Sequence, residues 1–476
     1  MKKLILLLTS IVNCVNCELI IYPTSPGVDQ SDKFKINLHQ EDFPAQNSFI
    51  YISRSNNRIG QSTSVKPNRT VSWTSFAFTG TPVVATVLAA QDFKQCIIRP
   101  KRYGIACRKT ESNTATFNIT ENTVMLSVEF DYDYGSFKSD IVDKLLIFAD
   151  APEDDVPDPT DPGVLFYGSE AYNLKGQLQL NDSIRQVYLA PGAFVEGGFR
   201  TISQKPIKIS GRGILSGANY PHKDPKFLWS IINVDNGMNH IVEGVTMVDP
   251  PQFYFRGLGD NNVLRNVKTV APWTYNTDGV GIGSGGLVED SFFQTNDDTF
   301  KVYNDGLVVR RCVVWQGQNG AVFQFGWWVD RLLNNVSIDT IDVIHTDWCT
   351  FKGEVCHSSG NDAVMDLAGK TTLLNTSNIN ITNVRLEGIC PRIFNFVMDD
   401  KATGIVKDVY LNNWVLDALT AHTDMDSELG GSRQGGRLSS WLINNMTIAE
   451  KCITRPSQAN VKIDPKTTNN IKFSCG

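Results

Sequence analysis

From residue 18 to about residue 150, short apolar runs alternate with polar ones. Ser48-Phe49-Ile50-Tyr51-Ile52, Val71-Ser72-Trp73-Thr74-Ser75-Phe76, Val83-Val84-Ala85-Thr86-Val87 and Val124-Met125-Leu126-Ser127-Val128 are examples. β-Branched and aromatic residues dominate the runs, and Gly, Asn and Pro separate them. The pattern predicts an antiparallel β-sandwich over residues 18–151. No catalytic constellation stands out there, so a structural or binding role is expected. Pro152 to Gly163 follows with four prolines and five acids, which cannot pack a core and reads as a stiff, solvated linker.

Beyond the linker, over residues 164–476, the pattern becomes periodic. A five-residue phrase recurs at Ile241-Val-Glu-Gly-Val245, Val263-Leu-Arg-Asn-Val267, Leu287-Val-Glu-Asp-Ser291, Val308-Val-Arg-Arg-Cys312 and Leu332-Leu-Asn-Asn-Val336. It returns less cleanly from Asn380, Ile405 and Leu442. The first five starts are 22, 24, 21 and 24 residues apart, and the next gap of 48 equals two periods of 24. Short β runs with Gly/Asn turns at that period describe a solenoid. No useful helical period appears, so the expectation is an all-β chain: a β-sandwich followed by a right-handed parallel β-helix.

Composition adds the compartment. The 476 residues are 41% apolar and 20% charged, ordinary for a folded protein and too long for one core. A net charge of −6 leaves no basic footprint, so nucleic acid is not an expected partner. Residues 1–17 pair Lys2 and Lys3 with the apolar run Leu4 to Val12, a secretory signal cut ahead of Glu18. The run is well short of the ~20 residues a membrane span needs. A secreted, extracellular protein is therefore expected, a monomer with no membrane contact after the signal is removed. Eight cysteines remain, with Cys96–Cys107, Cys349–Cys356 and Cys452–Cys475 the expected pairs among many possible. Asn-x-Ser/Thr acceptors stand at Asn68, Asn118, Asn181, Asn335, Asn375, Asn380 and Asn445, which fits a secretory route.

The chemistry gathers between Ala271 and Lys301. Asp278, Asp297 and Asp298 fall within 21 residues, with Trp273, Tyr275 and Tyr303 beside them. Acids and aromatics are what cleavage of a sugar–sugar bond requires: one group protonates the leaving oxygen, another activates water, and flat rings hold the pyranose faces. Coils of a β-helix stack about 4.8 Å apart, so residues one period apart stand above one another. Asp278 should then lie one coil below Asp297 and Asp298, with Asn319 and Gln324 on the coil after. For adjacent Asp297 and Asp298 to face one cleft, the strand must bend at Asn296-Asp297. Like charges this close raise at least one pKa and separate an acid from bases. Lys301 would hold one carboxylate ionised. A calcium site is the competing use of such acids, but no metal or other cofactor is expected.

Asn276-Thr-Asp278 with Asn296-Asp-Asp298 resembles the signature shared by the polygalacturonase and dextranase families, glycoside hydrolase families 28 and 49. Tyr188-Leu-Ala-Pro-Gly-Ala-Phe194 and Gly211-Arg-Gly-Ile-Leu-Ser-Gly217 look like the opening coils of such β-helices. Polygalacturonases carry a Gly-His-Gly where this chain has Gln318-Asn319-Gly320, and a later Arg-x-Lys that is absent here. Trp273 to Gly279, Asn296 to Tyr303, Gln324-Phe-Gly-Trp327 and Asp342-Val-Ile-His345 look like the dextranase family, as does a β-sandwich ahead of the β-helix. The resemblance implies an inverting hydrolase of α-glucan, most often of dextran's α-1,6 linkages. Asp297 would be the general acid, and Asp278 and Asp298 would activate water. Trp273, Tyr275, Lys301, Tyr303, Asn319, Gln324 and Trp327 would bind the polysaccharide. The family includes isopullulanase, so α-1,4 cleavage of pullulan stays open, as do a pectin hydrolase and a non-catalytic carbohydrate-binding solenoid.

Overall fold

The structure, a computed structural model, describes residues 18–41, 43–55, 69–131, 144–327, 332–348, 350–352, 355–357, 360–367, 375–420 and 425–476. The signal-like segment 1–17, Asn68 and Cys349 lie outside the described residues. Strands dominate; the helical elements among the described residues are short 3-10 turns at Lys101–Tyr103 and Pro456–Ala459.

Residues 18–150 form two sheets, one of six strands and one of five. Alternation in Phe34–Gln40 sends Phe34, Ile36 and Leu38 into the space between them, where they meet Val83, Ala85, Val87, Phe117, Leu126 and Ile147. Thr70–Thr79, Val124–Phe130 and Lys144–Asp150 are buried along nearly their whole length. Strands covered on both faces lose the polar alternation. One face of these three packs the sandwich. The other puts Trp73, Met125, Leu146 and Phe148 against Ile214, Val248, Val270, Phe292, Val313 and Ile344 of the second half. Lys144–Asp150 runs parallel to Thr70–Thr79, an exception to the antiparallel expectation.

From Val164 onward, one continuous ladder of 29 strands winds as a parallel β-helix. Each coil contributes short strands that pair with the coil before and the coil after, and the interior is a single apolar core. The repeated phrase marks a real register at first: Ile241, Val263, Leu287 and Val308 stand one above another. The next step departs from the expected period. Val308 pairs with Ser337, not Leu332, and Ser337 pairs with Asn380. The gap of 48 is therefore not two coils of 24; one coil enlarged by an excursion joins Ser337 to Asn380.

The reason lies in what the phrase detects. Its fourth residue adopts left-handed backbone at Gly244, Asn266, Asp290, Arg311, Asn335, Asn383, Asp408 and Asn445. It is a corner signal, and Asn, Asp and Gly tolerate that conformation best. Coils after Val308 carry two such corners five residues apart, as at Asn335 and Thr340 or Asn378 and Asn383, so the phrase can sit at either. Stacked corners bond to each other: Asn378 Nδ2 donates to Asn335 Oδ1 at 2.6 Å, and Asn413 Nδ2 to Asn383 Oδ1 at 3.1 Å. Two acceptor asparagines of the sequence, Asn335 and Asn445, thus serve as corners.

Cys96–Cys107 and Cys452–Cys475 are disulfides as expected. Among the described residues Cys312 and Cys390 are free, and burial in the β-helix pushes both thiols up to about 12.

Candidate active site

One sheet of the β-helix positions the acids. Its strands Ser230–Val234, Phe253–Gly257, Val280–Ile282, Phe300–Lys301 and Phe323–Gln324 pair in succession. Asp278 precedes Val280 by two residues and Asp298 precedes Phe300 by two, so the Val280–Phe300 pairing sets them on adjacent coils. Gly279 N donates to Asp298 O at 2.9 Å and closes that register. Between Phe292–Thr295 and Phe300–Lys301 the chain bends at Asn296 and Asp297. The bend turns both acids to the same side. Gln316 braces it from the next coil: Nε2 donates to Asp297 O at 3.0 Å and Asn319 O at 2.7 Å, and Oε1 accepts from Thr299 Oγ1 at 2.7 Å.

One oxygen of each of Asp278, Asp297 and Asp298 lies within 4.8 Å of the others. Such a group could hold a cation. Lys301 already supplies positive charge there, with Nζ 2.7 Å from Asp278 Oδ2 and 2.8 Å from Asp298 Oδ2. Asp298 is the most tightly held: its Oδ1 also accepts from Ala321 N, Gln324 Nε2 and Asn361 Nδ2 at 3.2–3.3 Å. Asp297 accepts from Asp298 N at 3.0 Å through Oδ1 and from Asn276 N at 3.1 Å through Oδ2. Asp278 Oδ1 is buried with no hydrogen-bond partner among the described residues.

These surroundings separate the acids electrically. Burial, then the charges of Asp278 and Asp298, hold the Asp297 carboxyl well above the carboxylate range. Burial also raises Asp278, to about 6, with Lys301 opposing it and Asp298 assisting. The carboxylates on either side raise the Lys301 ammonium well above its usual value, despite burial. A carboxyl held well above the carboxylate range beside one raised only to about 6 is the asymmetry that acid–base chemistry needs.

The acids stand in a cavity of about 700 Å³ that Lys301, Tyr303, Asn319, Trp327, Asn276, Trp229, Phe253, Arg256 and Asn361 also line. Four of the expected binding residues, Lys301, Tyr303, Asn319 and Trp327, are therefore brought to the acids. Gln324 is fully buried and works from behind, tying Asp298 to Asn361 and Asp366. Trp273 corrects the expectation outright. Its ring is buried between the two halves of the chain, and Nε1 donates to Ser53 Oγ at 2.8 Å. Tyr275 is exposed but outside the residues that line the cavity. Asp342 and His345 also face elsewhere: Asp342 pairs with Arg102 and Arg385, and His345 Nε2 lies 2.6 Å from Glu129 Oε1.

Asn276 stood in the motif without a role of its own; it is the donor to Asp297. Phe253 and Arg256 could have been found by stepping one coil back from Val280. Asn361 lies within the enlarged coil, where the period offers no signal.

No family model matches the chain. A dextranase of Arthrobacter globiformis is 28% identical over 292 residues, 53% of this chain and 43% of that protein. A dextranase of Talaromyces minioluteus is 26% identical over 328 residues, 64% of this chain and 54% of that protein. The matching span thus covers about half the length of these relatives. An isopullulanase of Aspergillus niger is 26% identical over 410 residues, 73% of this chain and 72% of that protein. In fold, the chain superposes on the solved structure of Dex49A from Penicillium minioluteum with a TM-score of 0.73 at 21% identity, covering 94% of this chain and 95% of that one. In sequence, then, this chain is similar to dextranases, and in fold it shares the architecture of Dex49A.

Proposed function

We propose that this protein is a secreted glycoside hydrolase that cleaves α-1,6-glucosidic bonds of dextran-type α-glucan with inversion. One observation carries the reading: a buried Asp297, its carboxyl held well above the carboxylate range by burial and by its neighbours' charges, stands in a sugar-sized cavity beside two carboxylates that share one lysine. Asp297 gives its proton to the glycosidic oxygen as the bond from C1 to that oxygen breaks. Asp278, with Oδ1 unpartnered, takes a proton from water while the water oxygen bonds to C1. Asp298 and Lys301 hold Asp278 and the water in line. Lys301, Tyr303, Asn319 and Trp327 contact the sugar rings; Gln324 supports Asp298.

The stereochemistry draws on two opposed observations. Oxygens within 4.8 Å are closer than the roughly 6.5–9.5 Å usual for an inverting pair, and nearer the roughly 5–5.5 Å of a retaining pair. Yet Asp298 is saturated with donors and Asp278 is pinned by Lys301, which favours water over a carboxylate as nucleophile. Inversion is kept by assigning the unpartnered Oδ1 of Asp278 to the proton of water; a retained anomer would make that same oxygen the nucleophile.

Secretion accords with the leader-like residues 1–17 and the disulfides, which persist in oxidising compartments. No helix among the described residues is long and apolar enough to cross a membrane. The enzyme would act as a monomer, with domains at 18–151 and 164–476 joined by the linker 152–163. A second reading, isopullulanase-like α-1,4 cleavage of pullulan, is favoured by the broader match to the Aspergillus niger protein. A panel of dextran, pullulan, starch and pectate, with NMR of the first anomer released, tests linkage and stereochemistry together. Dextran cleavage with an inverted first product is expected. A retained anomer removes the water mechanism, and pullulan cleavage alone replaces the substrate.

A further inference from the structure

Two tryptophans on the rim of the acid cavity share an unusual backbone. Trp229 has φ 61° and Trp327 has φ 62°, left-handed values that are outliers for so bulky a side chain. Such conformations persist where the surroundings enforce them, commonly at ligand sites. Trp229 is also 47% exposed, and Leu258 on the same cavity is 55% exposed. An apolar surface left open beside buried acids is out of place unless something covers it.

The ladder measures where Trp229 stands. Its carbonyl accepts from Phe253 N at 3.0 Å, and Ser230 beside it pairs with Phe253. Phe255 pairs with Val280 and Val280 with Phe300. Trp229 is therefore two coils before Asp278 and three before Asp298, about 10 Å and about 14 Å along the axis at ~4.8 Å per coil. Trp327 follows Gln324, which pairs with Lys301 one coil beyond the acids. The two rings flank the acids at unequal distances along the β-helix axis. Arg256 lies 5.4 Å from the Trp229 ring centroid and backs it, leaving exposed indole for a ligand.

We propose that Trp229 is a glucosyl platform at the far end of the cleft, which binds a sugar unit remote from the bond being cut and makes the enzyme favour long chains lying along the β-helix axis. This rests on the α-glucan hydrolase reading of the same site. A flat apolar ring face matches the apolar face of a pyranose, and a backed, conformationally fixed ring loses little entropy on binding.

The test compares wild type, Trp229→Ala and Trp229→Phe on dextran, with inhibition by isomaltose, which spans only the bond being cut. Trp229→Ala should raise the dextran KM roughly five- to tenfold, the scale of one lost aromatic contact. It should leave kcat and the isomaltose inhibition constant unchanged. Trp229→Phe should restore most of the loss, a rescue that misfolding would not give. An unchanged dextran KM, an equal change for isomaltose, or no rescue by Phe overturns the proposal. A parallel measurement of dextran binding in an Asp297→Asn background separates the two readings. Binding that Trp229→Ala weakens, where the wild-type protein shows no turnover, keeps the platform and sinks the hydrolase. Turnover with binding indifferent to Trp229 does the reverse, and neither binding nor turnover sinks both.

Discussion

At the scale of residues, the site is a problem in placing negative charge. Three carboxylates share a space that one ammonium only partly neutralises. Burial, with the remaining repulsion, holds the Asp297 carboxyl well above the carboxylate range. Asp297→Asn should therefore lower kcat by roughly 10²–10⁴-fold while the fold persists. The same change should stabilise the protein at high pH. A raised carboxyl pKa contributes stability that is present below the unfolded value near 3.8 and is lost as pH rises through the folded value. The neutral amide does not lose it. Melting curves should show the variant above wild type at alkaline pH, with the gap closing below pH 4 or so. For Asp278 the active form is the ionised base, so activity should rise with pH through about 6. Lys301→Met removes the charge that holds Asp278 down, so that limb should move upward. Leaving the two buried acids unpaired should cost about 3–5 kcal/mol of stability. A pH–rate profile with the acid limb unmoved in this variant would contradict the clamp. The sequence named these four residues, which the structure places together, and named Trp273 beside them, which it places apart. Spacing names a coil; it does not say which way a ring points. Ala271, in left-handed backbone at φ 63°, turns the following chain, and Trp273 lies against the sandwich.

At the scale of elements, the acid pair depends on a bend that a short strand cannot hold alone. The Gln316 amide ties it to the next coil, and Gly320 packs beneath it. A Cβ on Gly320 would fall 2.1 Å from Asp297 C, and its φ of 85° disfavours any L side chain. Gly320→Ala should push the bend outward. A misplacement near 1 Å at reacting groups can cost on the order of 10²-fold in rate. We expect kcat to fall by about that factor with KM for dextran little changed; wild-type kcat in this variant would show that the bend tolerates the shift. The bend itself was legible, because Asp297 and Asp298 are neighbours and alternation forbids both from facing one side of a straight strand. The coil register after Val308 was not, because the corner signal occurs twice per coil there.

At the scale of the whole molecule, the sandwich is part of the scaffold that carries the acids. Phe292, just before the acid bend, packs on Phe148 of the sandwich with ring centroids 5.3 Å apart. Buried charges cross the same interface: Arg99, paired within the sandwich with Glu129 at 3.0 Å, reaches Glu387 at 2.7 Å, and Lys268 reaches Asp150 at 2.8 Å. Breaking a buried pair from one side leaves its partner's charge uncompensated, so Arg99→Ala should cost about 3–5 kcal/mol. Because apolar and ionic contacts join the halves, calorimetry should show one transition moved to lower temperature; a sandwich transition separating from an unshifted second one would refute the coupling.

What the sequence by itself determined is local and periodic. Alternation specified strands, turn residues specified corners, and a repeat near the length of one coil specified that Asp278 and Asp297–Asp298 stack, since covalent spacing and strand rise are the only quantities involved. Only the tertiary structure decided which side of each coil meets solvent and which meets the sandwich. It also decided the depth of the acids, and the excursion that returns Asn361 to Asp298. Those depend on how distant segments exclude water from one another, and that exclusion is a property of the packed chain, absent from any stretch of it.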